Sequence, residues 1–515
     1  MTDKPNVIIC FCDQLRAFEV GCYGSKSVKT PNIDAFAAQG VRFETACTNN
    51  PVCTPARSIL LSGQYSRTCA GALGNCGEPE PERAVFPNTT IAEAFKAAGY
   101  RTGLIGKWHM RPHPRTVGFD SAFFPHHSHR YTGQTYFDSD GSSRVIEGFA
   151  HEAELDELSR FLAREPGKPF FLYYNISQPH MPLADMPERY LRMYSPDRVS
   201  LRPNVFIDGK PAYDANWFAI YLWDYLYYDK HLPYTAKLPK CFNIRHLTSL
   251  YYGSVTWVDD QLGELMRRLA AAGLDEHTIV VFTADHGDNL GSHHLFNKGR
   301  LYEESIRIPM IYRWPGGLTP PSSAPYKGGE AASPVYEGGA AASSPLTKVG
   351  RVPHPPLTKV GQVPHPPLTK GGQVPHPPLT KGGQGGVIHT QVTSLVDVMP
   401  TLLALAGVDV PDSVQGTDVS PVLRGEKQSV GENAAFIETT RGPVGIRTLT
   451  HLYGVDKATK NQRTTAVTDD RYKFFDILRD PMQEHNLATE PSAVADGLRE
   501  RVLRWDRETP WLEAQ

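Results

Sequence analysis

The 515-residue chain contains no run of about 18 apolar residues, so nothing in it reads as a membrane span. It has no basic excess either. Its 53 Lys+Arg stand against 55 Asp+Glu, a formal net charge of −2, which argues against a protein living on a nucleic-acid backbone or an anionic membrane surface. Cysteine is sparse, eight residues with no CxxC pair. All of them except Cys53 read as buried reduced thiols of a cytosolic protein. The opening Met1-Thr2-Asp3-Lys4-Pro5 shows no pattern of a secretory leader, and a cytoplasmic location is the expectation. The hydrophobic fraction of 40% is a little low, and one polar segment accounts for it.

That segment, residues 318–386, holds 14 of the 43 prolines and 12 of the 44 glycines. Pro-Leu-Thr-Lys recurs from Pro345, Pro356, Pro367 and Pro378, a period of 11 residues. The prolines in each unit forbid a helix, and too few large apolar residues remain for a stacked solenoid. The segment is expected to be a disordered insertion, with His354, His365 and His376 as copies of the repeat. Elsewhere, strand-like runs (Asn6–Cys12, Arg101–Ile105, Phe170–Ile176, Thr278–Thr283) alternate with helical patterns at Thr30–Gln39, Thr90–Ala98 and Glu152–Leu162. The clearest helical periodicity runs from about Leu247 to Ala272, with Gly273 where a helix ends. Such alternation predicts an α/β fold with a mainly parallel sheet covered by helices. Val392–Leu405 reads as one more helix. The last 85 residues change texture, with a strand at Tyr472–Ile477 and a helix from near Ala493, as in a small α+β subdomain. The predicted organisation is 1–317 plus 387–430 as one catalytic domain, 318–386 inserted, and 431–515 as the subdomain.

In a parallel sheet, ligands bind beyond the carboxyl ends of the strands. The first strand empties into Asp13-Gln14, the second into Lys107-Trp108-His109, the third into Pro179-His180, and the fourth into Asp285-His286. Any one such Asp could be a helix cap; four reactive strand ends together are harder to dismiss. Between them lies Cys53-Thr54-Pro55-Ala56-Arg57. Thr54 reads as an N-cap and Pro55 as the first helical residue, which would put Cys53 at a helix N-terminus that favours anions, with Arg57 one turn on. A capped helix with a buried cysteine before it is the plainer alternative.

These residues resemble the sulfatase family. Cys53-x-Pro55-x-Arg57 is similar to the sulfatase signature, and Asn6–Ile9 with Asp13-Gln14-Leu15-Arg16 and Gly21–Gly24 to the family's opening. Gly99–His109, Pro179–Pro182, Asp285-His286-Gly287, Asn297-Lys298-Gly299 with Tyr302–Ser305, and Phe475–Pro481 with Glu484–Leu487 follow in family order. The resemblance covers the chain outside 318–386 and implies an alkaline-phosphatase-like fold and sulfuric ester hydrolysis. It implies that Cys53 is oxidised to formylglycine by a formylglycine-generating enzyme, the hydrated aldehyde being the nucleophile. By the same resemblance Asp13, Gln14, Cys53, Asp285 and His286 hold one divalent metal, while Lys107, Lys298 and Arg57 face the anionic sulfuryl group. His180, with Lys298, would protonate the leaving alcohol, and His109 would take the proton whose removal releases sulfate.

Two positions depart from the commoner family pattern: Gln14 stands where a second Asp is frequent, and His286 where Asn is. Ca2+ is the expected ion, but imidazole better suits Mn2+ or Zn2+. Asp-Gln and Asp-His pairs also resemble the choline-sulfatase and phosphonate monoester hydrolase branches, so phosphonate monoester or phosphodiester hydrolysis stays open. A catalytically silent binding relative is a further alternative, weakened because Cys53, Arg57, Lys107, His109, His180 and Lys298 are all present. The expected substrate is a small-molecule or saccharide sulfate ester. His126, His127, His129, His293 and His294 read as solvated loop histidines, with a pocket role implied for His127 or His293. The aromatic run Trp217–Tyr228 reads as a pocket wall or a packing surface.

Overall fold

Ten strands build one sheet in the computed structural model, which describes residues 4–76, 86–125, 130–207, 210–211, 243–317 and 386–512. They are β1 (Asn6–Asp13), β2 (Val41–Phe43), β3 (Arg101–Gly106), β4 (Ser121–Pro125), β5 (Thr132–Asp138), β6 (Ser143–Phe149), β7 (Phe170–Pro179), β8 (Thr278–Ala284), β9 (Met310–Arg313) and β10 (Val387–His389). Their order across the sheet is β10-β2-β9-β8-β1-β7-β3-β4-β5-β6. The block β8-β1-β7-β3-β4 is parallel. Its inner members are apolar runs because helices cover both faces, and every residue of β1, β3 and β8 is buried. The margins differ: β5, β6 and β9 run antiparallel to their neighbours, so the sheet is mixed.

The covering helices include α1 (Pro31–Ala38), α2 (Cys53–Ser62), α3 (Ile91–Ala97), α4 (Ala150–Ala163), α5 (Ile244–Ala271) and α6 (Val398–Leu405). Helix α5 starts three residues before the periodic leucines, because the Asn243 side chain accepts from the N–H groups of Arg245 and His246 at 3.0 and 3.3 Å. It stops where predicted, with Gly273 left-handed at φ +68°. The segment Val392–Leu405 is not one helix. Thr393–Ser394 pairs as a short strand with Ala46–Cys47, Leu395–Asp397 is a 3-10 turn, and only Val398–Leu405 is α-helical. A buried apolar run cannot by itself distinguish these states.

The C-terminal part forms an antiparallel sheet of β11 (Ala435–Glu438), β12 (Val444–Arg447), β13 (His451–Lys460) and β14 (Arg463–Asp476), with α7 (Ala493–Glu508) packed on it. The Trp505 ring of α7 stacks on Phe436 at 5.3 Å. Buried ion pairs fasten this subdomain to the segments of the large sheet: Arg67 holds Glu438 at 2.6 Å and Asp506 at 2.8 Å, and Arg447 holds Glu303 at 2.7 Å. Among the described residues no helix is long and apolar enough to cross a membrane. Residues 318–385 of the predicted insertion 318–386, His126, His127, His129 and the run Trp217–Tyr228 lie outside the described residues.

Candidate active site

The parallel block delivers its loops to one edge of the sheet. There β1 ends in Asp13, β3 runs into Lys107, β7 into His180, and β8 into Asp285. The Asp285 N–H donates to the Cys12 carbonyl at 3.1 Å, and the Gln14 N–H donates to Asp285 Oδ1 at 3.0 Å, so the first and last of these loops lie side by side. Helix α2 points its first turn at the same place.

That helix begins two residues earlier than the sequence suggests. Val52 is the N-cap and Cys53 the first helical residue. Thr54 does not cap: its hydroxyl donates to the His109 carbonyl at 2.9 Å, tying α2 to the loop after β3. Cys53 is buried, and its Sγ lies 2.8 Å from Lys298 Nζ, 3.4 Å from His286 Nε2 and 3.6 Å from Asp13 Oδ1. Burial alone would push this thiol up. Lys298, Lys107, His286 and the hydrogen bond with His109 outweigh it and hold the group well below the ordinary thiol range.

The cations divide into two kinds. Arg57 is fully buried, with one Nη donating to the Lys107 carbonyl at 2.9 Å and the other to Asp13 Oδ2 and Asp285 Oδ2 at 2.9 and 3.1 Å. Both Nη groups are engaged, so Arg57 orients the two carboxylates. Lys107 Nζ meets Asp13 Oδ2 at 2.5 Å, and Lys298 Nζ also takes Gln14 Oε1 at 3.0 Å. Both ammoniums lie beside Cys53, where an anion would sit.

Asp13, Cys53, Asp285 and His286 each offer a ligand atom, all within 4.8 Å of one another. Burial pushes Asp13 up, as does Cys53, but Lys107, His180 and Lys298 hold it well below the usual carboxylate range. Burial and Asp13 raise Asp285. The His286 Nδ1 lies 2.8 Å from the Gly287 carbonyl, to which it donates, so Nε2 is the ring atom turned toward Asp13 at 3.7 Å and Asp285 at 3.5 Å. Two carboxylates, an imidazole nitrogen and a sulfur converging on one point are a donor set that fits a divalent metal. Gln14 Oε1 adjoins it, with the amide turned by the bond from Nε2 to Asp288.

The two remaining predicted residues line the same point. His109 is buried at φ +48°, and burial lowers its imidazole to about 4. His180 Nδ1 is 2.7 Å from the Met181 carbonyl; burial, then Lys298 and Lys107, push this ring down as well. Strained backbone collects here: Gln14, His109, Leu290, His293, His294 and Asn297 all have positive φ. His293 stacks on Tyr302 at 3.8 Å, faces Glu304 at 3.3 Å and is mostly buried, unlike the solvated loop residue expected.

Sequence reasoning passed over three supports. Asp288 holds Gln14 and accepts from the N–H groups of Leu290 and Asn297 at 2.6 and 3.0 Å. Tyr251 Oη donates to the Gln14 carbonyl at 2.7 Å, and the Asn175 amide donates to that of Lys107. Asp288 was findable, since it directly follows Asp285-His286-Gly287; the other two act on backbone atoms.

Comparison with known proteins adds a family and several relatives. The family model described as Sulfatase matches residues 5–333, and that described as N-sulphoglucosamine sulphohydrolase, C-terminal, matches residues 379–507. The ulvan-active sulfatase of Formosa agariphila is 27% identical over 501 residues, covering 95% of this chain and 78% of that protein. A protein solved in complex with its substrate D-glucosamine-2-N,6-O-disulfate superposes with a TM-score of 0.69 at 21% identity, covering 98% of both chains. The phosphonate monoester hydrolase of Agrobacterium radiobacter superposes with a TM-score of 0.65 at 21% identity, covering 98% of this chain and 96% of its own.

Proposed function

The chain belongs to the sulfatase family and is a sulfuric ester hydrolase, and on that premise we propose that it cleaves a sulfate monoester of a saccharide at Cys53. The observation that carries the reading is the setting of Cys53: a buried side chain at the first turn of α2, between Lys298, His286 and Asp13. Cys53-Thr54-Pro55-Ala56-Arg57 matches the pattern the family's maturation machinery recognises, and a formylglycine-generating enzyme is the implied partner. The relative named for ulvan and the neighbour solved with a disulfated glucosamine support a sulfated sugar as the substrate class.

Conversion of Cys53 to formylglycine supplies a hydrated aldehyde as nucleophile, and a divalent cation on Asp13, Asp285, His286 and Gln14 supplies Lewis-acid activation. Ca2+ is the ion proposed, for the two carboxylates and the amide oxygen; His286 makes Mn2+ the rival. Lys107 and Lys298 bind the non-leaving oxygens. Arg57 keeps both carboxylates turned to the site. His109, neutral at pH 7 because burial holds it near 4, accepts a proton. His180 is pressed down by burial and two lysines; an anionic ester beside them offsets their field and returns the ring toward the protonated state in which it donates to the leaving oxygen.

The rival reading, a phosphonate monoester hydrolase on the same site, is favoured by the Asp-Gln and Asp-His pairs and by the shared fold. Matured protein assayed on sulfate, phosphonate monoester and phosphodiester substrates with one leaving group separates the two. The expectation is a higher kcat/KM for sulfate, and a phosphonate ahead of every sulfate tried overturns it. Peptide mass analysis should show an aldehyde at residue 53, and Cys53→Ala should abolish turnover with the fold intact.

A further inference from the structure

His180, the proposed proton donor, takes its aim from the backbone around it. Its Nδ1 lies 2.7 Å from the Met181 carbonyl, so the ring is tied to the peptide that follows and turns with it. That backbone has just left the sheet. The β1–β7 ladder passes from the Cys12–Ile176 pair straight to Asp13–Pro179, so Ser177 and Gln178 bulge between them. A bulge at a strand end re-aims the side chain beyond it, and the buried polar backbone groups it takes out of the ladder need partners elsewhere.

Tyr131 supplies one. It directly precedes β5 and is 3% exposed; its Oη donates to the His180 carbonyl and lies 3.4 Å from the Ser177 carbonyl. One hydroxyl thus faces both ends of the bulged turn. The ring behind it stands edge-on to Trp257 of α5 with centres 5.6 Å apart. Phe149, which pairs with Thr132 across the β5–β6 hairpin, meets the same indole at 5.7 Å. Further along, the segment after His180 is fastened to the same place. Asp185 Oδ2 accepts from the N–H groups of Tyr131 and Thr132 at 2.7 and 3.2 Å, and Oδ1 accepts from the Thr132 hydroxyl at 2.9 Å. The start of β5 and segment 180–185 therefore hold each other at two points, with Met181 and Leu183 buried between. Packing against Trp257 would be served equally by a phenyl ring. The hydroxyl is spent on the carbonyl of His180 itself, whose imidazole is bound to the next carbonyl along, so fixing this turn fixes where Nε2 points.

We propose that Tyr131 is a positioning residue that aims His180 Nε2 at the leaving oxygen of the ester, with Asp185 bracing the same turn. The inference rests on the reading above that His180 donates a proton to that oxygen. Protonation matters in proportion to the basicity of the departing oxygen, so a misaimed His180 costs most for a poor leaving group, a sugar alcohol included. Without the hydroxyl the His180 carbonyl loses this partner, and the turn moves to satisfy it.

The test is kcat/KM of the formylglycine form, loaded with Ca2+, on 4-nitrophenyl sulfate and on phenyl sulfate, which differ chiefly in the basicity of the leaving group. Tyr131→Phe is expected to raise the ratio of the 4-nitrophenyl to the phenyl value about tenfold. Asp185→Asn, which weakens the second fastening, should raise it by about threefold. His180→Ala is the reference and should raise it furthest, about 100-fold. A purely structural loss lowers both rates together and leaves the ratio alone. An unchanged ratio in Tyr131→Phe (in Asp185→Asn, if the first variant does not fold), while His180→Ala raises it, overturns the positioning role alone. An unchanged ratio in His180→Ala overturns the proton-donor reading and this inference with it.

Discussion

Glu154→Gln should stabilise the protein at pH 8 by roughly 3 kcal/mol and at pH 5 by less than about 1 kcal/mol. Glu154 sits on the face of α4 that also buries Leu158 and Phe161, where an apolar residue would be usual. It is 3% exposed, and its carboxyl accepts a hydrogen bond from Tyr136 Oη at 2.6 Å. No cation among the described residues pairs with it, and the buried Tyr174 hydroxyl nearby has no partner. Burial pushes the carboxyl from its ordinary 4.5 up to about 7, the Tyr136 bond opposing. The folded state therefore keeps a proton that the unfolded state has released between about pH 4.5 and 7. The unfolded state binds fewer protons in that window, so stability falls as pH rises through it and is level above. A displacement from 4.5 to about 7, at about 1.4 kcal/mol for each pH unit, gives about 3.5 kcal/mol in full, nearly all of it reached by pH 8. Glutamine keeps the oxygen that accepts from Tyr136 and cannot ionise. Urea unfolding of both proteins at pH 5 and pH 8 measures the difference. A gain equal at the two pH values, or a loss at pH 8, would refute the reasoning.

Asp288→Asn should set an amide against the Gln14 amide, turn Gln14 over, and weaken divalent-metal binding by about 10- to 100-fold while leaving the melting temperature nearly unchanged; unaltered metal affinity would show that residue 14 does not face the metal. Replacing residues 318–385 with a short Gly/Ser linker should preserve activity and stability. Tyr312 of β9 and Val387 of β10 both pair with Val41 on β2, so the ends to be joined lie two strand spacings apart, about 10 Å, and loss of soluble protein would show that the segment contributes to folding.

What could be read from the sequence follows burial. Strands β1, β3, β7 and β8 stand out because both their faces are covered, so their residues form unbroken apolar runs ending in the reactive residues. The outer strands β5 and β6 do not stand out. Ser143–Phe149 is largely exposed and carries Arg144 and Glu147, so nothing marks it as strand until β5 pairs with it. The site was legible where chemistry demands a side chain: Asp13, Cys53, Lys107, His180, Asp285 and Lys298 come from four strand ends, one helix start and one loop. The backbone contacts were not. Thr54 reads as a cap by type, yet its hydroxyl is taken by the His109 carbonyl, a partner 55 residues away that any residue could present. Arg57 likewise reads as a cation for an anionic substrate, and only its complete burial shows that it serves the carboxylates.

The charge balance of this edge gives a reason for the proposed conversion of Cys53 beyond supplying a nucleophile. Arg57, Lys107 and Lys298 face Asp13, Asp285 and a Cys53 thiol held well below its ordinary range, so the cations of this edge are already paired with acidic groups. In this state Lys298 is occupied by sulfur at 2.8 Å and the edge has little net attraction for an anion. Replacing the thiolate with a neutral aldehyde removes one negative charge and frees Lys298. A divalent cation on Asp13, Asp285 and His286 would add two more positive charges in a low-dielectric setting where each acts strongly. The matured protein should therefore bind inorganic sulfate more tightly than the cysteine form at equal Ca2+ loading, as read by calorimetry, and the difference should shrink in Lys298→Met. Equal affinities of the two forms would mean that the thiolate does not hold Lys298 back, and that the modification supplies a nucleophile without changing the field in which sulfate binds.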